Sequence, residues 1–378
     1  MSEHQPTHAT TPTHPAAGAQ SGPDTGPAAG AQSGPDTGPA AGAQSGPDAG
    51  PDTGPDTVLR LINGYWSTGI LGAAAEHQLF THLEAGAHDA AQLAQRAQIS
   101  ERGAQTLLDG LVSIGLLTLE QGRYRNTPAA SAYLVTGRPA DLSQMARLKL
   151  THMGKLTALP EVVRAGGPVS DPTTEVADNP HWGQVVPAIA AQSVPAAAVA
   201  ADVLGLAGAG AISILDVGGG SGIYSATWLE ANPAARATQL DWEPINAIAR
   251  KLLAERGVGD RFTCIDGDFH TTDFGTGRYD VALYSHIAHQ EGPEDNIAVF
   301  TRLKDALKPG GALVVCDYVV DDDRSGPAFP LLFASEMLLK SQQGGTWRRA
   351  DYHAWLTKAG FSDVSFHAAP PATLVIAR

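Results

Sequence analysis

Residues 214–222 read ILDVGGGSG, an apolar run that ends in an acid and three consecutive glycines. SGIYSATWLEA follows with helical spacing, so the glycines join a strand to a helix. In open α/β sheets such a strand end is where ligands bind. Gly218, Gly220 and Gly222 give G-x-G-x-G, and Ile223 breaks the dinucleotide pattern G-x-G-x-x-G. Glycines here still let backbone approach a ligand closely. Asp216 argues against a phosphate, which it would repel, and suits a ligand with a positive end.

The texture around this loop fixes the fold class. After residue 211, strand-like runs (AISILDVG, ATQLDW, FTCIDGDF, DVALYSHI, GALVVCDYVV) alternate with helical ones (EPINAIARKLLAERG, PEDNIAVFTRLKDAL). That alternation predicts a parallel sheet covered by helices on both faces. A helix, ADYHAWLTKAG, and two strand candidates, VSFHAAP and ATLVIAR, close the chain. Twenty-three residues after Gly218, Asp241 ends the second strand, where an acid commonly accepts from ribose hydroxyls. Trp242 is placed to flank an adenine. After the third strand, Asp268 is placed to accept from an adenine amino group and Phe269 to pack on its ring. Together these residues specify a nucleoside with a cationic tail, S-adenosylmethionine.

The N-terminal half reads differently. Residues 1–57 repeat PAAGAQSGPDTG with a period of 12, a composition that cannot bury a core, and are expected to be a disordered tail. Residues 58–140 predict helices, with Ser100 as an N-cap and Gly115 as a stop, followed by two short strands around EQGR, a winged-helix order. Its would-be recognition helix, 101–114, offers Arg102 against Glu101 and Asp109, too little positive charge to read DNA. A dimerisation and lid module is the expected role. Residues 141–208 predict helices broken by a Gly/Pro/Asp loop at 165–180, and 209–378 form the ligand-binding domain.

Bulk properties narrow the class further. The formal charge is −14; six acids and no Lys or Arg lie in residues 1–57, so the remainder carries −8, which disfavours nucleic acid. No apolar stretch is read as reaching the ~18 residues of a membrane span, and no signal peptide is expected. Cys264 and Cys316 sit in apolar runs and read as buried thiols. The expectation is a cytoplasmic protein. Neither DGD at 266–268 nor DDD at 321–323 is expected to hold a metal.

The chain resembles the class I S-adenosylmethionine-dependent small-molecule O-methyltransferases of the caffeate and hydroxyindole type and their bacterial relatives. The resemblance covers about residues 58–378 and rests on LDVGGGSG, LDW, DGDF, LYSHIAHQEGPED, LKPGGALVVCDYVVDDD and GGTWRRADYHAWLTKAGF. It implies a Rossmann-like seven-stranded sheet with an antiparallel last strand, an N-terminal all-α winged-helix domain, a homodimer and a small-molecule acceptor. It implies that Ser285 joins the cofactor residues and that His289 is the general base, oriented by Asp317 28 residues later. His286 is a neighbouring imidazole with no assigned role. The chain departs from the plant enzymes at Gln290, where they carry Asp, and at Trp347, where they carry a second acid. Methyl transfer to carbon, and a winged-helix regulator that senses the cofactor, are the alternatives. Candidate acceptor-pocket residues are Met145, Trp182, Phe329, Phe333, Met337 and Trp347.

Overall fold

A computed structural model describes residues 54–169, 176 and 179–378. Most of the expected repeat tail lies outside these residues, but Asp56 and Thr57 already belong to the first helix. Helices α1 (Asp56–Ile62), α2 (Tyr65–Glu76), α3 (Leu79–Glu84), α4 (Ala90–Ala97) and α5 (Glu101–Ser113) come first. Asp89 and Ser100 cap α4 and α5 by accepting from Gln92 N–H and Gly103 N–H. α5 stops where Gly115 turns to φ +75° and Leu116 N–H reaches back to Leu111 O.

Strands β1 (Leu117–Glu120) and β2 (Arg123–Asn126) then pair antiparallel around Gln121–Gly122, both at positive φ as a tight hairpin requires. Asp109 of α5 accepts from Tyr124 of this hairpin at 2.6 Å, so the acid of the would-be recognition helix serves an internal contact. Leu79, Phe80, Leu93, Leu108 and Leu111 form a fully buried core for this region. Val58, Leu59, Leu61, Ile62, Tyr65 and Trp66 of α1 and α2 are more than half or nearly half exposed.

Helices α6 (Pro128–Tyr133), α7 (Ser143–Leu156), α8 (Leu159–Ala165) and α9 (Pro180–Val203) lead to the sheet. By length and composition α9 is apolar enough to cross a membrane, a test that a buried core helix also passes. Pro187 and Pro195 lie inside the helix without ending it. In the fold, Ala196, Ala197, Ala200 and Ala201 bury one face of α9 in the core.

The sheet strands are β3 (Ser213–Val217), β4 (Arg236–Asp241), β5 (Phe262–Asp266), β6 (Tyr279–Ser285), β7 (Leu307–Asp317), β8 (Val364–Ala369) and β9 (Ala372–Ala377), in the order β5-β4-β3-β6-β7-β9-β8. The first five are parallel and β9 runs antiparallel between β7 and β8. Helices α10 (Ile223–Ala231), α11 (Glu243–Glu255), α12 (Pro293–Ala306), α13 (Ala328–Lys340) and α14 (Arg349–Lys358) complete the chain.

Alternation along the strands builds two cores. Ile214, Leu283 and Val314 face the cluster with α9, α10 and α11; Leu215, Tyr284 and Val315 face the cluster with α12 and α14. Each fully buried Leu or Ile contributes roughly 1.5–3 kcal/mol. Trp228 on α10 adds a directional tie, donating to Ala197 O at 2.8 Å. Cys316 is buried as expected, whereas Cys264 is only half-buried, beside Arg250. The switch in strand order falls at β3, flanked by β4 and β6, and opens a crevice at its C-terminal end.

Candidate functional site

The glycine loop is fastened to β4 at three points. Gly218 N–H donates to Leu240 O at 2.8 Å, Gly220 N–H to Asp241 Oδ2 at 2.9 Å, and Gln239 Nε2 to Gly220 O at 3.1 Å. The side-chain-free backbone is obligatory here. Gly218 sits at φ +64°, and a Cβ would lie 2.8 Å from Ile287. At Gly219 a Cβ would lie 2.5 Å from Gln239 Oε1 and 2.7 Å from Asp216 Cγ. Beneath the loop Asn246 donates to Asp241 O, Ile265 O and Asp266 Oδ1, aligning the ends of β4 and β5.

The loop forms one wall of a cavity of about 480 Å³. Gly218, Gly220, Asp241, Trp242, Asp268, Phe269 and Ser285 all line it, so seven of the eight residues read from sequence as cofactor-binding converge. Its wall carries the carboxylates of Asp241, Asp268, Glu291 and Asp295 and, among the described residues, no Lys or Arg. Asp241 Oδ1 also accepts from Trp242 N–H at 2.8 Å. Burial pushes the Asp241 carboxyl up to about 6 despite these two backbone donors.

Asp216 does not line the cavity. It lies two residues beyond Ile214, so it shares the α10 face of the sheet and is fully buried under the loop. Its Oδ2 accepts from Ser225 of α10 at 2.7 Å, and its Oδ1 has no partner among the described residues. Burial pushes this carboxyl up to about 7; Ser225 opposes the rise and Asp241 adds to it. The sequence shows an acid before the loop but not which face it takes.

A second group stands beside the cavity. His289 Nδ1 lies 2.6 Å from Asp317 Oδ1, and the same carboxylate accepts from His289 N–H at 2.9 Å and Tyr318 N–H at 2.7 Å. Burial alone would raise the Asp317 carboxyl, but His289's charge and hydrogen bond, helped by His286 and Tyr318, hold it below the usual range. His289 is 5 % exposed, between Tyr318, at 5.7 Å and nearly parallel, and the edge of Phe333, at 5.0 Å. Neither His289 nor Asp317 is on the cavity wall; His286 is, with its ring 6.3 Å from that of His289. His286 adopts φ +57°, an uncommon conformation for a residue with a Cβ, and burial lowers its imidazole to about 4. His286, His289 and Asp317 bring potential ligand atoms within 4.8 Å of one another, but the 2.6 Å Nδ1–Oδ1 separation leaves no room for an ion between that pair.

Of the acceptor-pocket candidates, Trp182 lines the cavity, Phe329 and Phe333 stack around Tyr318, and Met337 is buried on α13. Met145 is half-buried on α7, away from the cavity. Trp347 donates its indole N–H to Ala288 O at 3.0 Å, bracing the segment that carries His289. Sequence reasoning missed His270 and Glu291, both on the wall. A histidine directly after the DGDF strand end was the available signal for the first.

Comparison with known proteins decides the family. Residues 59–136 match the O-methyltransferase dimerisation domain and residues 194–362 the O-methyltransferase domain. The tetracenomycin polyketide synthesis 8-O-methyl transferase TcmO of Streptomyces glaucescens is 33% identical over 86% of this chain and 97% of its own. The chain belongs to the O-methyltransferase family. This O-methyltransferase is also 34% identical to the 3-hydroxy-5-methyl-1-naphthoate 3-O-methyltransferase of Streptomyces sahachiroi, over 82% of this chain and 90% of the relative. Its fold matches that of human N-acetylserotonin methyltransferase, solved in complex with S-adenosylmethionine, with a TM-score of 0.76 and 24% identity over 87% of this chain and 99% of that one.

The unpaired burial of Asp216 has a measurable consequence. A carboxyl whose folded value is raised to about 7 contributes stability at acid pH that is lost as pH rises through that value. Asp216→Asn keeps the shape and the acceptor for Ser225 but cannot ionise. In cofactor-free protein, the unfolding free energy of this variant relative to wild type, measured by denaturant titration, should therefore rise between about pH 4 and 7, by at most about 1.4 kcal/mol per pH unit, and then level off. A difference independent of pH would show that Asp216 is not ionised at the expense of the fold.

Proposed function

We propose that this enzyme binds S-adenosylmethionine in the cavity at the end of β3 and β4, and uses His289 as general base toward a hydroxyl of an aromatic or polyketide-like small molecule. The chain is an S-adenosylmethionine-dependent O-methyltransferase. The observation that carries the placement of the site is its charge: four carboxylates and, among the described residues, no Lys or Arg line a cavity one wall of which is a glycine loop. Such a wall suits a nucleoside with a positive tail and repels a phosphate. The residues present fit the group. Asp241 offers its carboxylate to ribose hydroxyls, Trp242 and Phe269 flank a planar base, and the loop lets backbone reach the tail. When bound, the cofactor supplies an electrophilic sulfonium methyl.

The chain's own part is proton handling and alignment. A phenol with a pKa near 10 is about one part in a thousand ionised at neutral pH. Asp317, kept ionised by its donors, accepts from Nδ1–H of His289, which fixes the tautomer and leaves Nε2 to take the acceptor's proton. The same carboxylate stabilises the imidazolium that results. The rings of Tyr318 and Phe333 against His289, with Phe329 packed on both, provide an apolar, planar setting that favours an aromatic acceptor.

We further infer that the exposed apolar residues of α1 and α2 are covered by a second copy of the chain, in keeping with the dimerisation-domain match at 59–136. Sedimentation should give about twice the chain mass for wild type. The double variant Leu61→Asp, Ile62→Asp should give the single-chain mass. A wild-type monomer, or a variant that stays dimeric, would contradict this interface.

The test of the base uses 3-hydroxy-5-methyl-1-naphthoate as first acceptor, chosen after the named activity of the Streptomyces sahachiroi relative. His289→Ala should lower kcat by ~10²–10⁴-fold. The variant's rate should recover about tenfold per pH unit up to the acceptor's own pKa, as hydroxide replaces the missing base. Variant activity within about threefold of wild type, with an unchanged pH profile, would assign catalysis to alignment alone.

A further inference from the structure

His270 sits at the mouth of the cavity, one residue beyond Phe269. Its Nδ1 lies 2.9 Å from Asp268 Oδ1 and its Nε2 lies 3.1 Å from Glu291 Oε2. A carboxylate only accepts, so both ring nitrogens must donate and the ring must be an imidazolium. Its backbone N–H also donates to Asp268 Oδ1, at 2.8 Å. One oxygen of Asp268, Oδ1, thus takes two hydrogen bonds from His270, and Oδ2 takes neither. The ring stacks on Phe269 at 4.3 Å, and Phe269 meets the edge of Tyr284 on its own account at 5.9 Å. Arg302 of α12 holds the same loop from behind by donating to the carbonyls of Phe269, His270 and Thr272.

We propose that His270 is a positioning residue for the cofactor's adenine: as an imidazolium strapped between Asp268 and Glu291 it aims the second oxygen of Asp268 at the adenine amino group and holds Phe269 against the ring. This rests on the reading of the cavity as the S-adenosylmethionine site. It goes beyond that reading by making recognition of the base depend on a charge outside the nucleoside contacts. The geometry is matched by the energetics: the hydrogen bond to Glu291, opposed by burial and aided by Asp268, pushes the imidazole up to about 9. Below that pH the strap is complete; above it, one nitrogen loses its proton and one carboxylate loses its donor. The charged groups against the His270 ring are Asp268 from its own loop and Glu291 from the segment after β6; Arg302 of α12 meets its backbone carbonyl, and Asp295 of α12 lines the same cavity. Tyr284 beneath Phe269 is pushed well above its ordinary value by burial.

Calorimetric titration of S-adenosylhomocysteine and of its deaminated analogue S-inosylhomocysteine, across pH, tests this. Wild type should prefer the adenosyl ligand, and its affinity for that ligand should step down as pH rises through about 9. His270→Ala should bind S-adenosylhomocysteine about tenfold more weakly near neutral pH, lose the step, and discriminate less between amino and deaminated bases. Glu291→Gln, which keeps the side chain's shape, should move the step to lower pH. Dividing variant by wild-type affinity at each pH cancels the titration of the ligand's own ammonium. A His270→Ala variant with wild-type affinity, pH profile and base discrimination would overturn the role of His270 and leave the cofactor site standing. A wild type that binds neither ligand would instead overturn the cofactor reading itself.

Discussion

The clamp between the glycine loop and β4 is the constraint on which the rest of the site depends. Loops without side chains hold no shape by packing, so this one is shaped by hydrogen bonds from Gly218 and Gly220 to the end of β4 and from Gln239 back to Gly220. Asp241 does two jobs with one carboxylate. It fixes the loop through Gly220 N–H and presents itself to the cavity. Asn246 makes this possible by tying the ends of β4 and β5 together, so that Asp241 and the loop carrying Asp268 face the same space.

Three aspartates at parallel strand ends show how environment assigns roles to one side chain. Asp216 lies one residue before the end of β3, and Asp241 and Asp317 close β4 and β7; Asp216 and Asp317 are fully buried and Asp241 is half-buried. Asp216 receives a single hydroxyl and is pushed up to about 7. Asp241 receives two backbone N–H groups and reaches about 6. Asp317 receives two backbone N–H groups and the ring of His289, and falls below the ordinary range. The order follows the number and charge of donors, and it leaves the ionised carboxylate where an imidazolium would form.

Much of this was legible in the sequence, because strand ends announce themselves. Ligands bind where an apolar run stops, and the residues at those stops (Gly218, Asp241, Asp268) all line the cavity. The spacing of His289 and Asp317 matched a family pattern, and the fold brings them to 2.6 Å. Facing was less legible. Asp216 lies on the α10 side because of strand alternation, which needs the sheet's layers to be known. The strap from His270 to Glu291 joins residues 21 apart on different loops, and no local pattern encodes that pairing. The continuity of helix α9 was less legible because Pro187 and Pro195 interrupt its sequence, and its alanines bury one face against the core beside α10.

Calorimetric titration of S-adenosylmethionine into wild type and Asp241→Ala most directly tests the central claim that the clamped loop and Asp241 together form the cofactor site. Wild type should bind with a dissociation constant in the micromolar range, and the variant should lose at least about tenfold in affinity because ribose contacts and the loop's anchor go together. Equal affinity in the two proteins, or no binding by wild type, would contradict it.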